Sequence, residues 1–347
     1  MTLFWFLVVF AVLTIPHEFG HFIVSKIFGV RVYEFAVGFG PKIFEYKGKM
    51  TRYVFRMIPL GGFVRMAGID DLGEEIDVHE NEKFTNKAPW QRFLILISGP
   101  LMNFILAILL FSFVFLLGVP SPIPRVREVL PGKPASIAGF QPKDKIISIN
   151  GIKIERVEDA VKIIREAVPK PGVRNPVRVE IERNGKILFL EVVPEWEEER
   201  KGGFIGISFD YKVKKYPLPL AIKEGFNLFL TVLALIFSIF SMLFKGAQGI
   251  TFTGPLGIAR MTGEAVSAGG YQTLLNFIGL FSVQLGIFNL IPFPALDGGR
   301  ILFILIEKIR GKPIETKKEE TVHWIGLLIL LFLMLLITFF DIQRIGK

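Results

Sequence analysis

Three residues of unusual type stand in the first hydrophobic run of this chain: "IPHEFGHFIVSK" carries His17, Glu18 and His21 where a membrane helix would carry Leu, Val and Phe. An ionisable side chain at mid-membrane depth costs roughly 2.5–3.5 kcal/mol on insertion scales, so such residues face a cavity and have a task. On a helix, H-E-x-x-H places the two imidazoles at i and i+4, on one face and a turn apart, which suits two ligands of a tetrahedral zinc ion. Glu18 then reaches the metal's water without binding the metal, and can take its proton as general base.

A catalytic zinc keeps three protein ligands and leaves the fourth position open, so a third ligand is required. The extended metzincin pattern is excluded, because Val24 and Ile27 stand where it needs Gly and His. His79 lies in an acidic loop and His323 at the start of the last apolar run, and both read as surface or interface histidines. The better candidate is Asp297 in "FNLIPFPALDGGRILFILIEK", a carboxylate flanked by apolar residues. Its competing reading is a cap on the helix that resumes after Pro292 and Pro294.

The elements that must position these residues follow from composition. Of 347 residues 51% are hydrophobic and the mean hydropathy is +0.49, so the chain reads as an integral membrane protein with room for one further domain. The expected fold class is a polytopic α-helical membrane protein: four transmembrane helices, a small membrane-associated β-sheet and an inserted α+β domain. The spans are expected at 1–28, 93–119, 274–309 and 322–340, each near or above the roughly 20 residues a bilayer core requires. The first lacks the basic n-region and small-residue cleavage site of a secretion signal, and reads as a retained anchor. The net charge of +9 sits in loops beside the spans with acids interleaved, which fits positive-inside topology and headgroup contact and not nucleic acid. Without cysteine, disulfide and thiolate chemistry are excluded.

Residues 29–92 show short strand-like runs, with Lys47-Gly48 a turn between "KIFEY" and "MTRYVF", and then the acidic loop "DDLGEEIDVHENE". Lys26, Arg31, Lys42, Lys47, Lys49, Arg52 and Arg56 crowd the far side of span one, so that side is expected to be cytoplasmic and the N-terminus outside. After "PSPIP", an extracytoplasmic domain is expected over 122–212. There "VEDAVKIIREAV" has helical spacing of Val157, Val161, Ile164 and Val168, and apolar alternation runs on both sides of Asn184-Gly185, a hairpin signal. The run 217–245 is long enough to span. For His17, His21 and Asp297 to meet, however, spans one and three must cross in the same direction with span two as the return, so 217–245 is expected to be an interfacial or re-entrant helix.

HEFGH in span one, GFGP and PLGGFVRMAG in the sheet, GPLMN in span two and NLIPFPALDGG in span three, with a PDZ-like unit between, resemble the site-2 proteases over nearly the whole chain. These are intramembrane zinc metalloproteases, and the likeness is to their bacterial, RseP-like branch. The resemblance implies Zn2+ held by His17, His21 and Asp297, Glu18 as catalytic base, and Asn289, Pro292 and Pro294 as the substrate-handling segment. It further implies a second cut in regulated proteolysis, made in single-span membrane proteins already trimmed outside, such as an anti-sigma factor or a signal-peptide remnant. The expected place is the bacterial cytoplasmic (inner) membrane, with the active site toward the cytoplasmic side. The chain departs from the pattern in having one PDZ-like unit where relatives often have two, Gln284 where some carry Asn, and Lys143 at a position that is often Gly. The PDZ-like groove either senses a new carboxyl terminus or excludes bulky ectodomains by size. An inactive scaffold is disfavoured by the intact His17, Glu18, His21 and Asp297. A transporter is disfavoured because neither motif has a second copy.

Overall fold

A computed structural model describes residues 2–69, 78–199, 201–246, 254–312 and 314–345. Most of the acidic loop expected after the sheet, residues 70–77, lies outside them. In chain order the elements are α1 (Thr2–Ile27), β1 (Val32–Lys47), β2 (Arg52–Met66), α2 (Pro89–Leu117), β3 (Val119–Val129), α3 (Pro134–Ile137), β4 (Lys145–Ile149), β5 (Ile152–Lys153) and α4 (Val157–Glu166). They continue as β6 (Val177–Arg183), β7 (Lys186–Val192), β8 (Glu195–Glu197), β9 (Gly202–Phe204), β10 (Ile207–Lys214), α5 (Leu218–Phe244), α6 (Pro255–Leu290), α7 (Asp297–Arg310) and α8 (Thr316–Ile345). Two compact units result, one of Met1–Leu117 with Tyr216–Lys347, the other of Gly118–Lys215.

The first unit is a helix bundle with a sheet. α1 and α2 run antiparallel and nearly touch, since a Cβ added at Gly20 would stand 2.3 Å from the Ser98 carbonyl oxygen. α6 is kinked at Gly270, whose φ of 63° and ψ of −160° are not helical; Gly263 before the kink lies against Thr2, while the part after it runs parallel to α1, with Leu274 and Ile278 on Val9 and Leu13. It is antiparallel to α2, with Gly279 and Gly286 against the rings of Phe111 and Phe104. Small residues at these crossings let backbones approach, the usual device of helix packing where lipid offers no hydrophobic gain.

By length and composition five described helices could cross a membrane, where the sequence led us to expect four spans. The additional one lies in the 217–245 run. Its helix, α5, packs lengthwise on α2, with Gly225 against Ser112 and with Phe229 and Val232 in one cluster with Ala107, Phe111, Val283 and Ile287. The third expected span is also divided. α6 ends at Leu290, residues 291–296 are irregular, and a separate helix of 14 residues, α7, starts at Asp297. Pro292 and Pro294 lack the N–H groups a continuous helix would use. α7 then continues down α2 in the direction of α6, with Ile304 beside Ile95 and Leu96, and Glu307 accepting a 2.6 Å bond from Arg92.

The β1–β2 pair folds upon itself. Residues 34–37 of β1 have partners both in 52–55 and in 62–65 of β2, while 44–47 pair with 52–55. Gly38 and Gly61, at φ of 90° and 103°, lie at the bends, where L side chains are strained. Among the described residues the stretch 62–66 therefore pairs on one side only, with 32–37.

The second unit is a sheet in the order β10-β3-β4-β6-β7, with β5 beside β4. Its core joins Ile146, Ile149, Ala160, Ile164, Val177, Val179, Ile181 and Val192. Asn184 and Gly185 adopt φ of 51° and 77°, the two left-handed residues of a hairpin turn whose twist matches its strands. On α4 the buried face is Val157, Ala160 and Ile164, whereas Val161 is 46% exposed and lines a groove with Phe204, Ile205 and Phe209.

Candidate metal centre

α1 brings His17 and His21 to its α2 face, and the start of α7 brings Asp297 to the same point. Nε2 of His17 and Nε2 of His21 are 3.2 Å apart, and Asp297 Oδ2 lies 3.2 Å from the first and 3.4 Å from the second. Among the described residues this is the one group of three His, Cys, Asp or Glu side chains whose ligand atoms come this close.

The donor set fits zinc. Bonds of about 2.0–2.1 Å from a tetrahedral ion set its ligand atoms about 3.3 Å apart, the spacing of these three. Asp297 Oδ2 is buried and, apart from the two Nε2 atoms it faces, has no hydrogen-bond partner among the described residues. Three acceptor atoms facing one another call for a cation between them, because a buried unpaired acceptor costs about 1–3 kcal/mol.

The surroundings fix the rings. His21 Nδ1–H donates to the Ile95 carbonyl at 2.8 Å, which leaves the lone pair on Nε2. The Asn103 amide approaches His17 Nδ1 at 3.3 Å. With its nitrogen toward the ring, Asn103 Oδ1 is buried without a partner; turning the amide over gives that oxygen the His17 Nδ1 proton and frees Nε2 of His17. Ser282 of α6 donates to the Asn103 carbonyl at 2.7 Å and ties the third helix to the same point.

A cavity of about 320 Å³ opens on the group, lined among others by Thr14, Glu18, Gly62, Asn289, Ala295 and Arg300. Glu18 lies against β2, where a Cβ on Gly62 would come within 3.2 Å of its Cγ. The structure thus gathers His17, Glu18, His21, Asn289 and Asp297. It does not bring Pro292 and Pro294 to the cavity lining: Pro292 is exposed and Pro294 packs against Gly326 of α8. His79 is exposed before a 3-10 turn, while His323 is buried. The sequence reading missed the Ile95 carbonyl, which no residue type announces. Asn103, the last residue of the GPLMN motif in span two, reads from sequence as a packing residue or a polar contact near the site, and nothing there ties it to His17.

Residues 5–333 match the family model described as peptidase family M50. The zinc metalloprotease RasP of Geobacillus kaustophilus is 34% identical over 98% of this chain and 97% of its own length. The regulator of sigma-W protease RasP of Bacillus subtilis is 32% identical over 98% of both. Among solved structures, the PDZ domain of an SdrC-like protein from Listeria monocytogenes is 19% identical over 26% of this chain and 90% of that one, at a TM-score of 0.22.

Proposed function

The chain belongs to peptidase family M50, whose zinc metalloproteases it matches over nearly its full length, and from that premise we propose that it cuts single-span membrane proteins within or near their apolar segments. The observation that carries the reading is the meeting of His17 Nε2, His21 Nε2 and Asp297 Oδ2 in one cavity with Glu18. In this reading His17, His21 and Asp297 hold the metal. Zinc bound there polarises a scissile carbonyl and acidifies water.

The chain's own residues supply the rest. Glu18 takes a proton from the attacking water and passes it to the leaving amine. A peptide bond inside a helix is wrapped by side chains and hydrogen-bonded, so the substrate has to unwind before the site can act on it. The 62–66 strand supports that step: among the described residues it pairs on one side only, and Gly62, Phe63, Val64 and Met66 line the cavity. An extended substrate added to that open side would have its freed backbone groups satisfied. Asn289, on the cavity wall, contacts the same extended chain.

The Bacillus subtilis relative is named a regulator of sigma-W, and an anti-sigma factor already trimmed outside is the substrate we assign. Leftover signal peptides have the same single-span chemistry. The inserted domain, read as PDZ-like, then selects trimmed substrates. We assign the chain to the bacterial cytoplasmic membrane, with its catalytic end toward the cytoplasm.

The test is proteolysis by purified protein in detergent of a single-span substrate, with and without chelator. Cleavage that chelator stops and zinc restores is the expected result. Cleavage indifferent to chelator would refute the metal assignment.

A further inference from the structure

Residues 291–296 set the direction of Asp297, and their hydrogen bonding is incomplete within themselves. Phe293 N–H bonds to the Ile291 carbonyl at 2.7 Å and Leu296 N–H to the Phe293 carbonyl at 3.1 Å, which folds the segment over the start of α7. Gly298 and Gly299 permit this, since a Cβ on either would stand 2.3 Å from a carbonyl oxygen of Ile291 or Phe293. Ala295 adopts φ of 78°, a left-handed conformation unusual for a residue with a Cβ, and its N–H finds its acceptor elsewhere. That acceptor is His323 Nδ1, at 2.8 Å, on α8. One turn further along α8, a Cβ on Gly326 would come within 2.5 Å of Pro294 Cβ and of its carbonyl oxygen. His323 is 8% exposed and stacks beside Phe303 of α7 at 5.6 Å between ring centroids.

We propose that α8 is a positioning element for the metal centre, in which His323 holds Ala295 in its strained conformation, Gly326 admits Pro294, and the two together aim Asp297 at His17 and His21. The last helix thereby acts on the site at one remove, through backbone. A strained backbone persists only where its surroundings over-determine it, and here the 294–295 peptide is held at two points, Pro294 against Gly326 and the Ala295 N–H by an imidazole, while Leu296 N–H bonds back to Phe293 on the other side. His323 donates nothing to the metal and is a positioning residue.

This inference rests on Asp297 being a metal ligand, so the experiment includes Asp297→Asn. Full-length protein is prepared as wild type, Asp297→Asn, His323→Leu, His323→Asn and Gly326→Ala. Zinc affinity is read by chelator competition, and site geometry by the visible absorption of the cobalt-substituted protein. Removing the acceptor with His323→Leu should weaken zinc by about tenfold, the low end of what supporting residues of metal ligands contribute, and shift the cobalt bands. His323→Asn keeps an oxygen acceptor near the Nδ1 position and should recover zinc affinity to within about twofold of wild type. Gly326→Ala should act in the same direction as His323→Leu, and decides the matter should the leucine variant fail to fold. Zinc affinity and cobalt spectrum both unchanged in the folded variants, even with a lowered melting temperature, would overturn the proposal and leave α8 a merely structural helix. If Asp297→Asn also changes neither readout, the ligand assignment itself has failed; if it alone changes both, only the role of α8 has failed.

Discussion

Gly99 of α2 lies against the imidazole of His21 so closely that an added Cβ would stand 2.3 Å from Nε2 and 2.8 Å from His17 Cε1. The absence of a side chain at Gly99 thus gives both rings the room to turn their Nε2 atoms toward Asp297. Gly99→Ala should displace one ring and weaken zinc by about tenfold or more, as loss of support for a metal ligand does. Chelator competition measures it, and wild-type affinity in a folded Gly99→Ala protein would show that the rings are held independently of α2.

Glu18 shares the cavity with the metal group without belonging to the close set of three ligand atoms. Glu18→Gln should therefore keep its zinc and lose turnover by about 10²–10⁴-fold, the range for a missing general base. Metal analysis and kcat on a single-span substrate separate the two effects. Loss of zinc together with activity would move Glu18 from base to ligand.

Lys143 adopts φ of 77° in the turn before β4, where its N–H bonds to the Val126 carbonyl at 2.7 Å. The left-handed conformation costs a residue with a Cβ roughly 1–2 kcal/mol, part of which glycine returns as chain entropy in the unfolded state. Lys143→Gly should stabilise this unit by about 0.5–1 kcal/mol, raising its melting temperature by about 2–8 °C, with cleavage of trimmed substrates unchanged. A fall in melting temperature would show that the lysine side chain contributes more than its backbone strain removes.

The metal group was legible because its chemistry is written in residue types: H-E-x-x-H needs only helical periodicity to bring two rings together, and an Asp in an apolar run has few other uses. The Asn184-Gly185 hairpin was legible for a similar reason, since its left-handed backbone selects those residues. The self-folding of β1 and β2 was not. It depends on bends at Gly38 and Gly61 and on residues 34–37 taking partners from two stretches of β2 at once, and strand periodicity announces neither. Nor was α5 against α2, because the Gly225–Ser112 approach joins two small residues far apart in sequence that carry no pattern of their own. His323 read as an ordinary histidine because its partner is a backbone N–H, which every residue but proline possesses.

Helix direction and charge together predict which end of the bundle faces the cytoplasm. α1 and the part of α6 after its kink at Gly270 run in one direction, while α8 runs in the other, from Gly326 against Pro294 near the metal group to Asp341, which accepts the Gly257 N–H at 3.0 Å near the start of α6. Ser267 on α6 therefore lies toward the end where α1 begins, since Gly263 touches Thr2, and Lys317 lies at the end where α1 finishes. Basic residues gather at that second end: Lys26 and Arg31 at and after the end of α1, Lys308 and Arg310 in the last turn of α7, Lys312 after it, and Lys317 and Lys318 at the start of α8. An excess of Lys and Arg marks the cytoplasmic side. Both chosen positions are exposed, and the chain has no cysteine of its own, so single cysteines can be placed at each without background. An impermeant thiol reagent applied from outside intact cells should label Ser267→Cys and spare Lys317→Cys until the membrane is opened. The reverse pattern would invert the bundle and place the metal group toward the outer leaflet, where a cytoplasmic-side cut could not occur. Labelling of both from outside would break the antiparallel relation of α6 and α8 on which the support of Asp297 by α8 depends.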